Sequence, residues 1–246
     1  CIPAFNSGAY IWRAIESSIH QTYKDVEIIV VDNASTDNTR EIVMKYVLKD
    51  PRIKYFRNEK NVGSGGNFLK CFEHASGEFV QVLGSDDWIS RNCVELGVKH
   101  IIANPKTAAV LPDVISLKFE GENNFSFISE WEVPSGRYSS RWFFRKLSRG
   151  EIGGVGFISF MRRDEVMNAL RDVLANSIHM VDRGERKEPF DMPIFMEVLA
   201  GHPHFIVEKE IAYIKTVHGR DAVGLQGDFS ESQEGMIRYS TAIRRS

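Results

Sequence analysis

Cysteine is scarce in this chain: Cys1, Cys71 and Cys93 are the only three, and their spacing is not that of a metal site. An odd and small number excludes a disulfide framework and points to a reducing compartment. Long apolar runs are missing too, since no stretch approaches the ~20 residues that cross a bilayer. Neither sign of charge is in excess. A formal net charge of -2 lacks the basic surface that nucleic acid demands, so nucleic acid is excluded as a partner. No G-x-G-x-x-G follows a strand and no G-x-x-x-x-G-K-[ST] occurs, which disfavours a dinucleotide dehydrogenase and a P-loop enzyme. Repeats, low-complexity tracts and a linker between independent domains are also absent.

What is present is an ordinary globular composition, 43% hydrophobic and 26% charged over 246 residues. Cys1-Ile2-Pro3 reads as the end of a strand whose beginning is missing, so the chain is expected to be a fragment cut at its N-terminus, without a signal peptide. Strand and helix signals then alternate. Ile11, Trp12, Ile15 and Ile19 mark a helix, and Val26–Val31 is a short run rich in β-branched residues ending at Asp32. Asn33–Asn38 supplies turn and capping residues ahead of a helix carrying Ile42, Val43, Tyr46 and Val47. Arg52–Arg57 alternates as a strand, Asn58–Gly66 reads as a polar, glycine-rich loop, and Phe68, Leu69, Phe72 and Ala75 form a helix face. Glu78–Leu83 is the next strand, ending at Gly84-Ser85-Asp86-Asp87. Strands separated by such helices predict an α/β fold with a mostly parallel central sheet.

The second half is less regular. Strands are expected at Ala108–Phe119, Phe125–Trp131, Gly156–Met161 and Phe205–Ile214. Helices are expected at Ser139–Leu147, behind an Asp164 cap, and around Met192–Leu199, with Ser177–Glu188 polar and mobile. The whole reads as one domain, 1–246, in two halves, 1–105 and 106–246.

Ligands of an open parallel sheet bind beyond the carboxyl ends of its strands. Pro3-Ala4-Phe5-Asn6, Asp32-Asn33 and Asp86-Asp87 all fall there, with Asn61-Val62-Gly63 between them. A lone carboxylate at a strand end usually caps the next helix. Carboxylates at two strand ends, beside a glycine-rich loop, are harder to dismiss. The Gly63-Ser64-Gly65-Gly66 run reads more readily as a flexible turn than as a phosphate cradle. Acidic groups near a phosphate site call for a divalent cation, and Mg²⁺ or Mn²⁺ bind through one or two carboxylates plus phosphate oxygens.

The order P-A-F-N, V-V-D-N-A-S-T-D-N-T, R-N-E-K-N-V-G and A-S-G-E-F-V-Q-V-L-G-S-D-D resembles the inverting enzymes of glycosyltransferase family 2 throughout residues 1–90. The resemblance implies a GT-A fold with a Rossmann-like nucleotide-binding half first and an acceptor-binding half second, a UDP- or dTDP-sugar donor and inversion at the anomeric carbon. By position it implies that Pro3, Phe5 and Asn6 line the nucleotide pocket, with Phe5 against the base. Asp32 would hydrogen-bond the base, and Asn61 and Gly63 would border base and ribose. Asp86 and Asp87 would hold Mn²⁺ or Mg²⁺ as the remnant of a D-x-D motif whose first aspartate is replaced by Gly84. The resemblance leaves open which of the two touches the metal.

Inverting transfer needs a base for the acceptor hydroxyl. The resemblance implies Asp191 in E-P-F-D-M-P-I-F-M-E, although Phe190 breaks the usual Glu-Asp pair; helix capping is the competing role, and Glu188 and Asp182 are the alternatives. The segment Tyr213–Arg220 is similar to the family's late Tyr-Arg-x-His stretch with shifted spacing, so His218 is expected at the metal or diphosphate and Lys215 or Arg220 near phosphate. His202-Pro203-His204 has no third ligand and reads as a turn. Trp142, Phe143 and Phe144 read as core more than as sugar platforms. Trp131 or Trp142 is the better sugar contact, and Trp88 is expected to shape the acceptor side of the donor site.

The implied partners are a nucleotide-sugar donor and a glycan or lipid-linked saccharide acceptor, in surface polysaccharide or glycolipid synthesis. The expected location is the cytoplasm, with peripheral association at the inner face of the cell membrane. Two other classes compete: a sugar-1-phosphate nucleotidylyltransferase, which needs a basic glycine-rich signature that P-A-F-N-S-G-A-Y lacks, and a non-catalytic nucleotide-sugar or glycan-binding module.

Overall fold

Side-chain alternation organises the first sheet. In β2 (Ile28–Asp32), Ile29 and Val31 enter one hydrophobic cluster while Ile28 and Val30 enter another, so all five residues of the strand are buried. That double burial is why the run carries β-branched residues on both faces. The computed structural model describes residues 1–119, 125–130, 132–149, 151, 158–176 and 191–217, without the side chains of 119, 129, 130, 173–176, 191–193 and 217.

β2 lies between β1 (Ile2–Ala4) and β3 (Ile53–Arg57), parallel to both, with Ala4 opposite Asp32 and Asp32 opposite Arg57. The connecting helices are α1 (Ile11–Ile19) and α2 (Thr39–Val47), and α3 (Gly63–His74) follows β3. Gly63–Gly66, expected in a loop, forms the first turn of α3. The reason is tertiary: Asn67, Cys71 and Phe72 are buried at helical spacing, which draws the helix start back over the glycines.

The remaining elements are β4 (Phe79–Val80), β5 (Trp88–Ile89), α4 (Cys93–Ala103), β6 (Thr107–Phe119), β7 (Phe125–Glu130), β8 (Gly136–Ser139), α5 (Ser140–Ser148), β9 (Phe160–Arg162), α6 (Arg163–Asn176), α7 (Asp191–Ala200) and β10 (His204–Val217). Their strands form a mixed sheet along the path β4-β9-β6-β10-β5, with β7 on β6 and β8 on β10. The parallel arrangement therefore holds in the first sheet and between β6 and β10, while the other pairs are antiparallel. The strand expected over Glu78–Leu83 is shorter as a ladder, but Cys1 joins it to β1: the Cys1 amino group donates to the Gln81 carbonyl at 2.9 Å, and Leu83 N–H donates to the Cys1 carbonyl at 2.8 Å. Among the described residues no helix is long and apolar enough to cross a membrane.

One carboxylate ties these parts together. Glu27, just ahead of β2, accepts from the backbone N–H groups of Ser76 at 2.5 Å and Gly77 at 2.8 Å, and from Lys54 on β3 at 2.7 Å. Burial raises its pKa, but the bonds from Lys54, Ser76 and Gly77 outweigh it and hold the group at about 2, below the 4.5 of a free glutamate. A depressed folded pKa stabilises above the unfolded value and stops doing so as pH falls through the folded one. Glu27→Gln should therefore cost about 1–2 kcal/mol at pH 7, roughly 3–6 °C in Tm. The gap to wild type should close as pH falls from 4.5 to about 2. Thermal unfolding followed against pH checks this, and a gap independent of pH would show that the carboxylate charge is not involved.

Candidate functional site

The carboxyl ends of β1, β2 and β3 stand in one row, and the loops that leave them are held in unusual backbone conformations. Asn6 (φ 49°) and Ala34 (φ 61°) both adopt the left-handed region without being glycine. Such residues cost of order 1–2 kcal/mol each and gather at functional sites. Here side chains hold the conformation: Asn6 N–H donates to Ser35 Oγ at 2.9 Å, and Asn6 Oδ1 accepts from Thr36 N–H at 2.8 Å. Phe5, between β1 and Asn6, is 48% exposed, an open apolar ring beside this polar row. Pro3 lies in β1 behind it, opposite Val31.

Asp32 is fully buried at the centre of the row. Its Oδ1 accepts from Ser35 N–H at 2.8 Å, and its Oδ2 accepts from the Tyr55 hydroxyl at 2.6 Å and the Arg57 guanidinium at 2.5 Å. Burial raises its pKa, but the bonds from Ser35 and Tyr55 and the Arg57 charge outweigh that and keep it below the usual carboxylate range. Arg57 is the accessible partner, with 37% of its side chain exposed against none for Asp32. Arg57 and Tyr55 are contributions that strand periodicity alone did not reveal.

Asparagine builds the neighbouring wall. Asn33 donates to Asn61 Oδ1 at 2.9 Å and to the Gly63 carbonyl at 3.2 Å, while its own Oδ1 accepts from Asn58 at 3.0 Å and Val62 N–H at 2.9 Å. Asn67, buried at the base, takes a bond from Asn58 at 2.9 Å and donates to the Val31 carbonyl at 3.0 Å. Asn33 and Asn67 each use donor and acceptor together, which fixes their orientation. Asn61 and Gly63 (φ 78°) are thereby held over the end of β2.

The Gly84–Asp87 loop is joined to this row by a hydroxyl pair, Ser7 Oγ to Ser85 Oγ at 2.7 Å. Its two aspartates differ in burial. Asp87 is 7% exposed, with Oδ2 accepting from the Tyr213 hydroxyl at 2.7 Å and Oδ1 from Thr216 N–H at 2.8 Å. Each oxygen of Asp87 accepts one bond from β10, which anchors the loop to that strand. Burial first, then the neighbouring Asp86 charge, pushes its carboxyl up to about 6. Asp86 is half-buried and is the more exposed of the two carboxylates. Beneath lies Arg13, 5% exposed and 5.7 Å from the centre of the Trp88 ring. Burial lowers the pKa of Arg13, while the Tyr10 and Asp86 charges act in the opposite sense. A basic residue on the apolar side of α1 was the available signal, and the helix pattern passed over it.

No group of three His, Cys, Asp or Glu side chains that could hold a metal occurs among the described residues. The described residues by themselves do not cage a cation. One partly exposed carboxylate fits Mg²⁺ or Mn²⁺ when substrate phosphates supply the other oxygens.

On the other half, Asp191 opens α7, whose Ile194, Phe195, Val198 and Leu199 are buried in the main core. The Asp191 side chain lies outside the described residues, as do Trp131, Asp182, Glu188, His218, Arg220 and the 177–188 segment. Lys215 is exposed on β10. The aromatic residues follow the core reading: Phe143 is fully buried, and Trp142 packs 4.7 Å from Tyr138 and 6.2 Å from Phe205 between ring centres. Trp88, expected at the acceptor side, is instead 2% exposed and packs on Ile115, Leu117 and Ile214. His202 and His204 bond separately, to Glu165 at 3.1 Å and Thr107 at 3.0 Å, as a turn entering a strand requires.

The family model described as Glycosyl transferase family 2 matches residues 1–165. A chondroitin synthase from Escherichia coli is 35% identical over 134 residues, which are 54% of this chain and 19% of that protein. The chain spans less than half the length of the curated relatives it matches. Among solved structures, residues 1–349 of Staphylococcus aureus TarS in complex with UDP-GlcNAc align at a TM-score of 0.64 and 22% identity, covering 94% of this chain and 59% of that one. The mannosyltransferase PcManGT from Pyrobaculum calidifontis, in complex with GDP-Man and Mn²⁺, aligns at 0.59 and 17% identity, covering 89% and 56%. These likenesses bear out the expected GT-A fold class.

Proposed function

The chain belongs to glycosyltransferase family 2, and from that membership we propose that it moves a sugar, with inversion, from a nucleoside-diphosphate sugar to a saccharide hydroxyl. The observation that carries this reading is the row of Ala4, Asp32 and Arg57 with the Ser85–Asp86 loop bonded to it, all inside the matched residues.

Phe5 offers an exposed ring for the base, and Asn6 shapes the loop beneath it. Asp32 takes a base N–H once the exposed Arg57 side chain swings away. Asn61 and Gly63, fixed by Asn33, border base and ribose. A divalent cation held by Asp86 and the two phosphates would neutralise the charge that develops on the leaving diphosphate. His218 is assigned to the same phosphates. The acceptor oxygen attacks C1 from the face opposite the diphosphate, its proton passes to the Asp191 carboxylate, and the bond from C1 to the phosphate oxygen breaks. At the start of α7 the helix dipole favours an ionised Asp191.

The UDP-GlcNAc complex of TarS supports a UDP-sugar donor, and the Mn²⁺ complex of PcManGT supports Mn²⁺. The chondroitin synthase relative supports a growing glycan as acceptor. Thermal-shift measurements with UDP-, dTDP-, GDP- and CMP-sugars test the donor. With Mn²⁺ present and ligand near 100 times Kd, the fitting nucleotide should raise Tm by about 5–10 °C. No shift with any of the four would contradict the reading. A shift without transfer to any saccharide would favour a binding module.

A further inference from the structure

Tyr213 and Thr216 lie some 130 positions beyond the Gly84–Asp87 loop, yet they hold it at four points. The Tyr213 hydroxyl accepts from Gly84 N–H at 2.9 Å and donates to Asp87 Oδ2 at 2.7 Å, so one oxygen bridges both ends of the loop. Thr216 donates its N–H to Asp87 Oδ1 at 2.8 Å and its hydroxyl to the Asp86 carbonyl at 2.6 Å. The same stretch of β10 pairs with β5, the strand into which the loop runs, with Tyr213 opposite Ile89 and Ile214 opposite Trp88. Tyr213 is 1% exposed and fills a core position that phenylalanine would fill as well. Its hydroxyl is therefore a commitment to the loop and not to packing.

The missing first aspartate has a place in this arrangement. A Cβ at residue 84 would sit 2.4 Å from Asp87 Oδ2 and 3.1 Å from Asp86 Oδ1. The first of these distances is too short for any side chain, and the atom it meets is held by the Tyr213 hydroxyl while Thr216 holds the other oxygen. Gly84 is what lets Asp87 fold inward onto Tyr213.

We propose that Tyr213, acting through the inward-turned Asp87, is a positioning residue that aims the Asp86 carboxylate at the donor diphosphate and its cation. This rests on the reading of Asp86 given above. The loop carries its more exposed carboxylate beside a residue clamped at two oxygens, so Asp86 is oriented by β10 and not by the strand it follows. Outer partners of this kind typically govern metal affinity by 10–100-fold without touching the ion.

Calorimetric titration of UDP into wild type, Tyr213→Phe and Gly84→Ala, each in Mn²⁺ and in EDTA, tests the proposal. Wild type should bind UDP more tightly in Mn²⁺. Tyr213→Phe should lose about tenfold of that gain, while its affinity in EDTA stays within about twofold of wild type. Gly84→Ala should lose the gain in the same way, because its Cβ displaces Asp87. A merely structural tyrosine would weaken both titrations equally or neither. An unchanged Mn²⁺ gain in Tyr213→Phe overturns the inference and leaves the Asp86 reading standing. No Mn²⁺ gain in wild type overturns both. Should Tyr213→Phe not fold, Thr216→Val, which removes only the bond to the Asp86 carbonyl, decides by the same comparison.

Discussion

Asp86→Asn is expected to reduce transfer by roughly 10²–10³-fold, the usual size of losing one charge-stabilising group at a leaving oxygen. Asparagine keeps the size of the side chain and the backbone carbonyl that Thr216 bonds at 2.6 Å, so the loop keeps its path. What is lost is the charge of the more exposed carboxylate of the loop, Asp87 being buried and bonded to Tyr213 and Thr216. Arg13 beneath the loop remains and is no longer balanced by the Asp86 charge. The variant should need more Mn²⁺ for half-maximal rate, since a lost ligand weakens the cation's hold. Initial rates of nucleoside-diphosphate release over a Mn²⁺ series check this. A normal rate with an unchanged Mn²⁺ dependence would move the cation elsewhere.

The second large effect is expected at Asp191. Asp191→Asn retains a residue able to cap α7 but cannot take up a proton, so transfer should fall by roughly 10²–10⁴-fold. Donor affinity should remain near that of wild type, because the residue opens a helix in the other half of the chain from the strand-end row. Single-turnover rates alongside UDP affinity separate the two quantities. If turnover stays normal, the base is Glu188 or Asp182. If affinity falls with it, Asp191 is a cap whose loss disturbs the fold.

Much of the first half was legible because its signals are local. The run ending at Asp32 carries buried residues on both faces, and no surface strand would be written that way. Other features were settled by contacts across the chain. Gly63–Gly66 looks like a loop from its own residues, and only the burial of Asn67, Cys71 and Phe72 makes it a helical turn. β8 is a four-residue strand with mostly exposed residues, which leaves no alternation to read. Asp86 and Asp87 are adjacent acids, and nothing local distinguishes the more exposed one from the one that turns in. The difference is made by Tyr213 and Thr216, far along the sequence. For the same reason the bonds of Asp32 to Tyr55 and Arg57 cannot be read from the residues beside it in the chain.

A crystal structure of the protein with UDP and Mn²⁺ tests the central claim most directly. The account predicts the base against Phe5 and the diphosphate over the Ser85–Asp86 loop. It predicts a cation bonded to Asp86 and to oxygens of both phosphates, with Asp87 still on Tyr213 and Thr216. A nucleotide bound away from the ends of β1, β2 and β3, or a cation held by Asp87 with Asp86 turned aside, would contradict it.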